Sequence, residues 1–315
     1  MSQKYRLITR SDFDGLVCAM ILKECNLIDE STIKFVHPKD VQDGKIELTN
    51  NDITTNLPYD SRVYMCFDHH ESELLRNADM KNNTNWHIDG NAKSASRVVY
   101  EYYKSQGYKL ERITDEIMEA VDKGDSAGFT KDEILNPKGW VLMNFLMDAR
   151  TGLGRFHNFT ISNYDLMMKL IDFCLEHDDV EAVLRLPDVE ERVKLYFEEQ
   201  DKFKEQLKKL VRIKGKVAVI DLREEEIIHA GNRFMIYALY PEVEISMHIA
   251  WGFKKQNTAV MIGKSIINKA SKTDIGEICL QYGGGGHMNA GTCQLANDKV
   301  DSLVPSIIDK LNATC

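Results

Sequence analysis

Asp68, His69 and His70 follow directly on the apolar run Val63–Phe67. A carboxylate beside two imidazoles is a donor set for manganese, iron, cobalt or zinc, and an acidic neighbour can orient a ligating histidine. Adjacent histidines project in different directions, so one can coordinate metal while the other meets substrate. The plainer alternative is a polar triplet that only meets solvent. A second group, Ser11-Asp12-Phe13-Asp14-Gly15, places two carboxylates one residue apart where a strand turns into a helix. Both can reach one hard cation if the turn is irregular, and Gly15 allows close backbone approach. The same pattern also occurs where Asp simply caps a helix. A third group runs from Tyr282 to Gly291, with Gly283, Gly284, Gly285 and Gly286 preceding His287. Consecutive glycines expose N–H groups that can cradle anionic oxygens, and His287 can donate to a phosphate or carboxylate held there. A flexible linker is the alternative.

These groups need a scaffold. Tyr5–Thr9 reads as a strand, Leu16–Leu27 as an amphipathic helix and Ile33–His37 as the next strand, so the chain opens as a βαβ unit of a mainly parallel, Rossmann-like sheet. Ligands collect at the carboxyl ends of such strands, where the acidic groups lie. Helical spacing over Ser94–Lys104 and Thr114–Val121 continues as a largely helical region to about Leu184. Pro187 then opens a segment rich in opposite charges three or four residues apart, read as a helix bridging two domains. Beyond Gly215 the segments KVAVIDL, FMIYALY, VEISMHIAWGF and TAVMIGKS read as strands and Asp274–Leu280 as a short helix, giving a smaller α/β domain with a mixed sheet.

The chain's 315 residues favour two domains. A net charge of −9 argues against a broad basic face for long duplex nucleic acid, while a small anion in one local site stays compatible. Seven scattered cysteines without a CxxC pair indicate neither a zinc ribbon nor a disulfide framework. With no apolar run of membrane-spanning length and no apolar stretch at the N-terminus, a cytoplasmic protein with no membrane partner is expected.

SDFDG at Ser11–Gly15, DHH at Asp68–His70, HIDGNAKSAS at His87–Ser96, GDSAGF at Gly124–Phe129 and GGGGHMNAG at Gly283–Gly291 together resemble the DHH phosphoesterase family, in its two-domain branch with a DHH-associated domain. Within the family the chain looks nearest to the exopolyphosphatase-related and nanoRNase-like members. The resemblance implies a catalytic domain over residues 1–185, a linker helix over 186–213 and a substrate-binding domain over 214–315. It further implies two metal ions, commonly manganese, activating water for attack on phosphorus. Carried over motif by motif, Asp12, Asp14, Asp68, His69 and Asp125 are metal-site residues, with Asp122 the rival of Asp125. Asp68, His69 and His70 form the catalytic triplet, and His70 faces the phosphate. Gly284, Gly285, Gly286 and His287 bind the far end of the substrate; Lys264 with Ser265 and Asn232 with Arg233 are further candidates. The chain departs from the pattern twice. Arg10 stands where a metal ligand is usual and, being permanently protonated, is assigned instead to phosphate binding. The metal-bridging aspartate has no clean match, and Asp52 is assigned to it, a turn or N-cap role being the alternative.

The leading function is hydrolysis of a phosphodiester or phosphomonoester in a small nucleotide: a short single-stranded oligonucleotide, a cyclic dinucleotide or its linear product, or a 3′-phosphorylated adenosine nucleotide. Hydrolysis of inorganic polyphosphate or pyrophosphate keeps the chemistry and changes the substrate. A nucleotide-binding regulator that has lost catalysis is the third reading, supported only by Arg10. A homodimer is left open.

Overall fold

The structure, a computed structural model, describes residues 3–70, 73, 74, 77, 79 and 83–313. The chain divides into two compact units, one comprising Met1–Gly128 and Lys138–Leu195, the other Phe129–Pro137 and Tyr196–Cys315.

The first unit is built on strands β1 (Tyr5–Thr9), β2 (Ile28–Phe35), β3 (Asp52–Thr55), β4 (Met65–Asp68) and β5 (Trp86–Ile88). They lie in the order β2-β1-β3-β4-β5, and every neighbouring pair is parallel. A parallel sheet covered on both faces needs apolar residues without alternation. Accordingly Leu7, Ile8 and Thr9 are all fully buried. The helix Phe13–Glu24 is buried continuously from Phe13 to Leu22, because it packs on the sheet side and against the helices Ala95–Ser105 and Asn163–Glu176 as well. It starts earlier than the expected Leu16 because Asp12 caps it, its carboxylate accepting from the Gly15 N–H. Ser94 and Thr114 cap the helices Ala95–Ser105 and Asp115–Asp125 in the same way.

β3 was not expected as a strand, since Asn, Asp and Thr around it read as a turn. Its threonines pack inside the sheet: the Thr55 hydroxyl donates to Thr9 Oγ1 at 2.7 Å. Because β3 runs parallel to β1, Asp52 stands at its amino end, paired in register with Arg6. Asp52 is fully buried and takes two bonds from the Arg6 guanidinium, at 2.7 and 2.8 Å, and two more from Thr49. A strand rising roughly 3.3 Å per residue keeps it about 10 Å from the carboxyl ends. The structure therefore corrects the assignment of Asp52 as a metal bridge: its oxygens are consumed by an ion pair at the opposite edge of the sheet.

The second unit holds β6 (Arg212–Lys214), β7 (Val217–Asp221), β8 (Ile245–Trp251), β9 (Thr258–Lys264), β10 (Gly285–His287) and β11 (Ala290–Leu295), in the order β10-β11-β9-β8-β7-β6. Only β7 and β8 pair in parallel, so the sheet is mixed. The helices Ile275–Gln281 and Val300–Ala313 supply apolar residues to its core, including Ile275, Cys279, Val300 and Ile307. FMIYALY, expected as a strand, is instead the helix Met235–Leu239, with Met235, Ile236, Tyr237 and Ala238 all buried. A short run that is apolar on every side satisfies either conformation, and here it packs as a helix on the helix Lys131–Leu135. The charged segment is one helix, Pro187–Leu210, with pairs such as Glu199–Lys202 and Glu205–Lys208 along it. No helix among the described residues is long and apolar enough to cross a membrane.

Asp52→Asn is expected to lower unfolding stability by about 1.5–3 kcal/mol, the usual worth of hydrogen bonds to a charged group, with metal affinity unchanged. Denaturant unfolding and metal titration of the same variant check both halves. Lost metal binding at unchanged stability would contradict the structural role.

Candidate metal centre and active site

The carboxyl ends of β1, β3 and β4 deliver the candidate residues to one edge of the first unit. Past β1 come Arg10, Asp12 and Asp14; past β3 comes Asn56; β4 ends on Asp68, followed by His69 and His70. Asp125 is the last residue of the helix Asp115–Asp125. A carboxylate at a helix C-terminus faces the negative end of the helix dipole, an unfavourable place unless a cation is near.

Asp14 is buried under the N-terminus of the helix Ala95–Ser105. The Ala95 N–H donates to Oδ2 at 3.1 Å, while the Ser96 N–H and hydroxyl donate to Oδ1 at 2.8 and 2.5 Å. Burial, followed by the Asp125 carboxylate, nevertheless pushes Asp14 up to about 7. His69 Nδ1 is 3.2 Å from the Ala92 carbonyl oxygen. A proton placed there leaves Nε2 as the lone pair, the tautomer that a metal requires. His69 Nε2 lies 2.7 Å from Asp125 Oδ2, so an imidazole nitrogen and a carboxylate oxygen converge on one point. Burial disfavours the His69 imidazolium, but Asp125, Asp14 and Asp68 outweigh it and hold its pKa up at about 9. In return Asp125 is held below the ordinary carboxylate range: burial opposes its charge, and His69, His70 and Arg10 overcome that.

Donor atoms of Asp14, His69 and Asp125 all lie within 4.8 Å of one another, as do those of Asp68, His69 and His70. Asp68 Oδ1 accepts from His70 Nδ1 at 2.7 Å, which turns His70 Nε2 outward from the pair. Asp68 Oδ2 is buried with no hydrogen-bond partner. An orphaned carboxylate oxygen beside converging imidazole and carboxylate donors fits a divalent cation. These residues are thus suited to hold one.

Asp12 is differently employed. Its Oδ1 caps the helix through Gly15 N at 3.0 Å, and its Oδ2 meets Arg10 Nε at 3.0 Å. Gly15 is required here, because a Cβ would lie 1.9 Å from the Arg10 carbonyl oxygen. Asp122, the rival of Asp125, accepts from the Ser94 hydroxyl on Oδ1 and from Arg97 Nε and Nη2 on Oδ2, a structural network. Sequence reasoning missed Ser96, which holds Asp14, and Asn56, whose Oδ1 is 3.4 Å from Arg10 Nη1. The SAS of HIDGNAKSAS was the available signal for Ser96. Nothing in TTNLP marked Asn56.

In the second unit, His287, Ala290, Gly263 and Ser246 are successive register partners across the sheet. Lys264 follows at the end of β9, and its N–H donates to the Asn289 carbonyl at 2.9 Å. The Tyr237 hydroxyl joins Ser246 Oγ and the Gly263 carbonyl at 2.7 and 2.8 Å. Ser265 spends its hydroxyl on the N–H groups of Ile267 and Asn268 in a turn. Asn232 is buried and its Oδ1 accepts from Phe234 N, while Arg233 stacks over the Phe234 ring at 4.1 Å. The glycine run is a turn followed by an edge strand: Gly285, Gly286 and His287 form β10 against β11. Gly284 is needed because a Cβ there would lie 2.2 Å from the Thr292 carbonyl oxygen. Close packing against β11 thus accounts for part of a run that reads in sequence as an open cradle.

A parallel sheet carrying a cluster of carboxylates and imidazoles at its carboxyl edge, followed by a mixed-sheet unit, makes a two-domain α/β fold with a candidate metal centre. The comparisons carry this to a family. The chain is 52% identical to a pGpG-specific phosphodiesterase, PggH, from Vibrio cholerae, over 99% of this chain and 100% of that one, with a TM-score of 0.83. It also resembles in fold an exopolyphosphatase-related protein from Bacteroides fragilis, at 13% identity over 99% and 93% of the two chains and a TM-score of 0.54. The DHH domain of PF0399 is similar at 12% identity over 98% and 87%, with a TM-score of 0.57. No protein-family model and no curated protein sequence matches the chain. The chain belongs to the DHH phosphoesterase family, and it is a phosphoric ester hydrolase.

Metal can occupy the cluster only when Asp14 is ionised and His69 is neutral at Nε2, so protons compete with the ion. Affinity for manganese is expected to rise as pH rises from about 6 through the Asp14 value of about 7 towards the His69 value of about 9, with proton release on binding. Calorimetry in buffers of different ionisation enthalpy measures both. An affinity independent of pH over that range would contradict the ligand assignment.

Proposed function

We propose that the chain is a manganese-dependent phosphodiesterase that cleaves short linear dinucleotides, pGpG foremost, to mononucleotides. The observation that carries this reading is the Asp14, His69 and Asp125 cluster, with its Asp68–His70 partner, in a chain 52% identical along its whole length to a pGpG-specific phosphodiesterase. A net charge of −9 accords with a small anionic substrate rather than a long strand. Mixed carboxylate and imidazole donors suit manganese among the divalent ions.

A bound divalent cation supplies an acidified water and neutralises charge on the phosphoryl oxygens. The chain's own residues do the rest. Asp14, Asp125 and His69 hold the ion, Ser96 and Ala95 fixing the Asp14 carboxylate and Ala92 the His69 ring. Asp68 keeps a proton on His70 Nδ1 and raises the His70 pKa against the opposing effect of burial. His70 Nε2–H then donates to a non-bridging phosphate oxygen as negative charge grows there. In the second unit, Lys264, His287 and the Gly284–Gly286 backbone are the candidates for holding a phosphate group, with Asn232, Arg233 and Ser265 as further candidates. Six described cysteines are free thiols, in keeping with a reducing cytoplasm.

Chromatographic assay under manganese, comparing pGpG with cyclic di-GMP, longer oligonucleotides, 3′-phosphoadenosine nucleotides and polyphosphate, tests the reading. Conversion of pGpG to GMP should be fastest, and faster release of phosphate from polyphosphate would overturn it. Asp14→Asn should abolish turnover. His70→Ala should lower kcat by about 10²–10⁴-fold, the usual range for a positioned proton donor. His287→Ala should raise KM with kcat nearly unchanged and metal content intact; a loss of bound metal would contradict its role.

A further inference from the structure

The resemblance to the family carries an expectation of two metal ions, and the contacts of Arg10 speak against the second. Arg10 follows β1 directly, and its side chain is only 27% exposed, with Nε 3.0 Å from Asp12 Oδ2. Its Nη1 lies 3.4 Å from Asn56 Oδ1 at the end of β3. Burial works against its charge, yet Asp12, Asp125, Asp14 and Asp148 all favour it, so the guanidinium sits within the field of the acidic cluster.

The available donors can be counted atom by atom. Asp12 accepts from Gly15 N on one oxygen, and its other oxygen is paired with the Arg10 cation, whereas the partners of Asp14 are all neutral. Asn56, beside the guanidinium, brings an amide and no charge, and its Nδ2 is buried without a partner. The two groups of donors, Asp14–His69–Asp125 and Asp68–His69–His70, share His69. His69 has one ring nitrogen turned to the Ala92 carbonyl, so it offers a single lone pair to a single ion. Asp68 has only Oδ2 left, and His70 has Nδ1 engaged with Asp68. A second divalent cation near Asp12 would have to displace a permanently protonated arginine and would meet an amide where it needs a carboxylate.

We infer that this centre binds one divalent cation, and that the Arg10 guanidinium takes the place of a second ion in neutralising Asp12 and presenting positive charge to the substrate phosphate. The inference rests on the metal-binding reading of the cluster under Proposed function. A bidentate guanidinium matches phosphate geometry, so the replacement keeps electrostatic stabilisation while removing one metal.

Manganese stoichiometry and spectroscopy test this without reference to turnover. After removal of loosely held ion, the wild-type chain should retain one manganese per chain by elemental analysis. Its electron paramagnetic resonance spectrum should show an isolated ion, with no exchange-coupled pair. Arg10→Asp, which replaces the cation with a carboxylate ligand, should take up a second manganese and show the coupled signal. Two ions or a coupled pair in the wild type overturn the inference while leaving a hydrolase of pGpG intact. A stoichiometry of one in both wild type and Arg10→Asp overturns the claim that Arg10 displaces an ion. No retained manganese in either chain overturns both this inference and the metal-binding reading, and circular dichroism with a cooperative unfolding transition separates that result from a misfolded preparation.

Discussion

The structure depends on keeping several carboxylates ionised at the end of a buried sheet. Asp12, Asp14, Asp68 and Asp125 converge where solvent is largely excluded, an arrangement that repels itself unless positive charge is supplied. Three sources supply it. Helix N-termini hold Asp12 and Asp14, the first through Gly15 N and the second through the N–H groups of Ala95 and Ser96. The Arg10 guanidinium meets Asp12, and His69 faces Asp125. What remains is the buried, unbonded Asp68 Oδ2 and the lone pair of His69, which is the complement a divalent cation fills.

The fold explains why these groups meet. Parallel strands all end on the same side, so residues far apart in sequence, from Arg10 to Asp125, reach one edge by ending a strand or a helix there. The same geometry disposes of Asp52. Its place between two expected strands and upstream of Asp68 gave it apparent relevance, yet it begins a strand where the others end one, and Arg6 claims it.

Much of this was legible in the residues. Strand β1 and the helices over Ser94–Lys104 and Thr114–Val121 follow from periodicity, and the DHH and SDFDG groups announce their chemistry by type and spacing. Other features were hidden for identifiable reasons. β3 is a central strand with a single apolar residue, Ile53, and only tertiary packing of Thr54 and Thr55 reveals it. FMIYALY is apolar all round, so no period separates helix from strand. The glycine run looks like an open nest, but Gly284 is small because β11 passes against it. Ser96 and Asn56 matter through single contacts that sequence cannot display.

The central claim is that the cluster at the carboxyl edge of the first sheet is the metal centre of a phosphodiesterase. Crystals grown with manganese, and measured for anomalous scattering at the manganese edge, test this most directly. The account predicts an anomalous peak bounded by Asp14, His69 and Asp125. A sole peak at Asp52, or none at this cluster in crystals of an enzyme active with manganese, would contradict it.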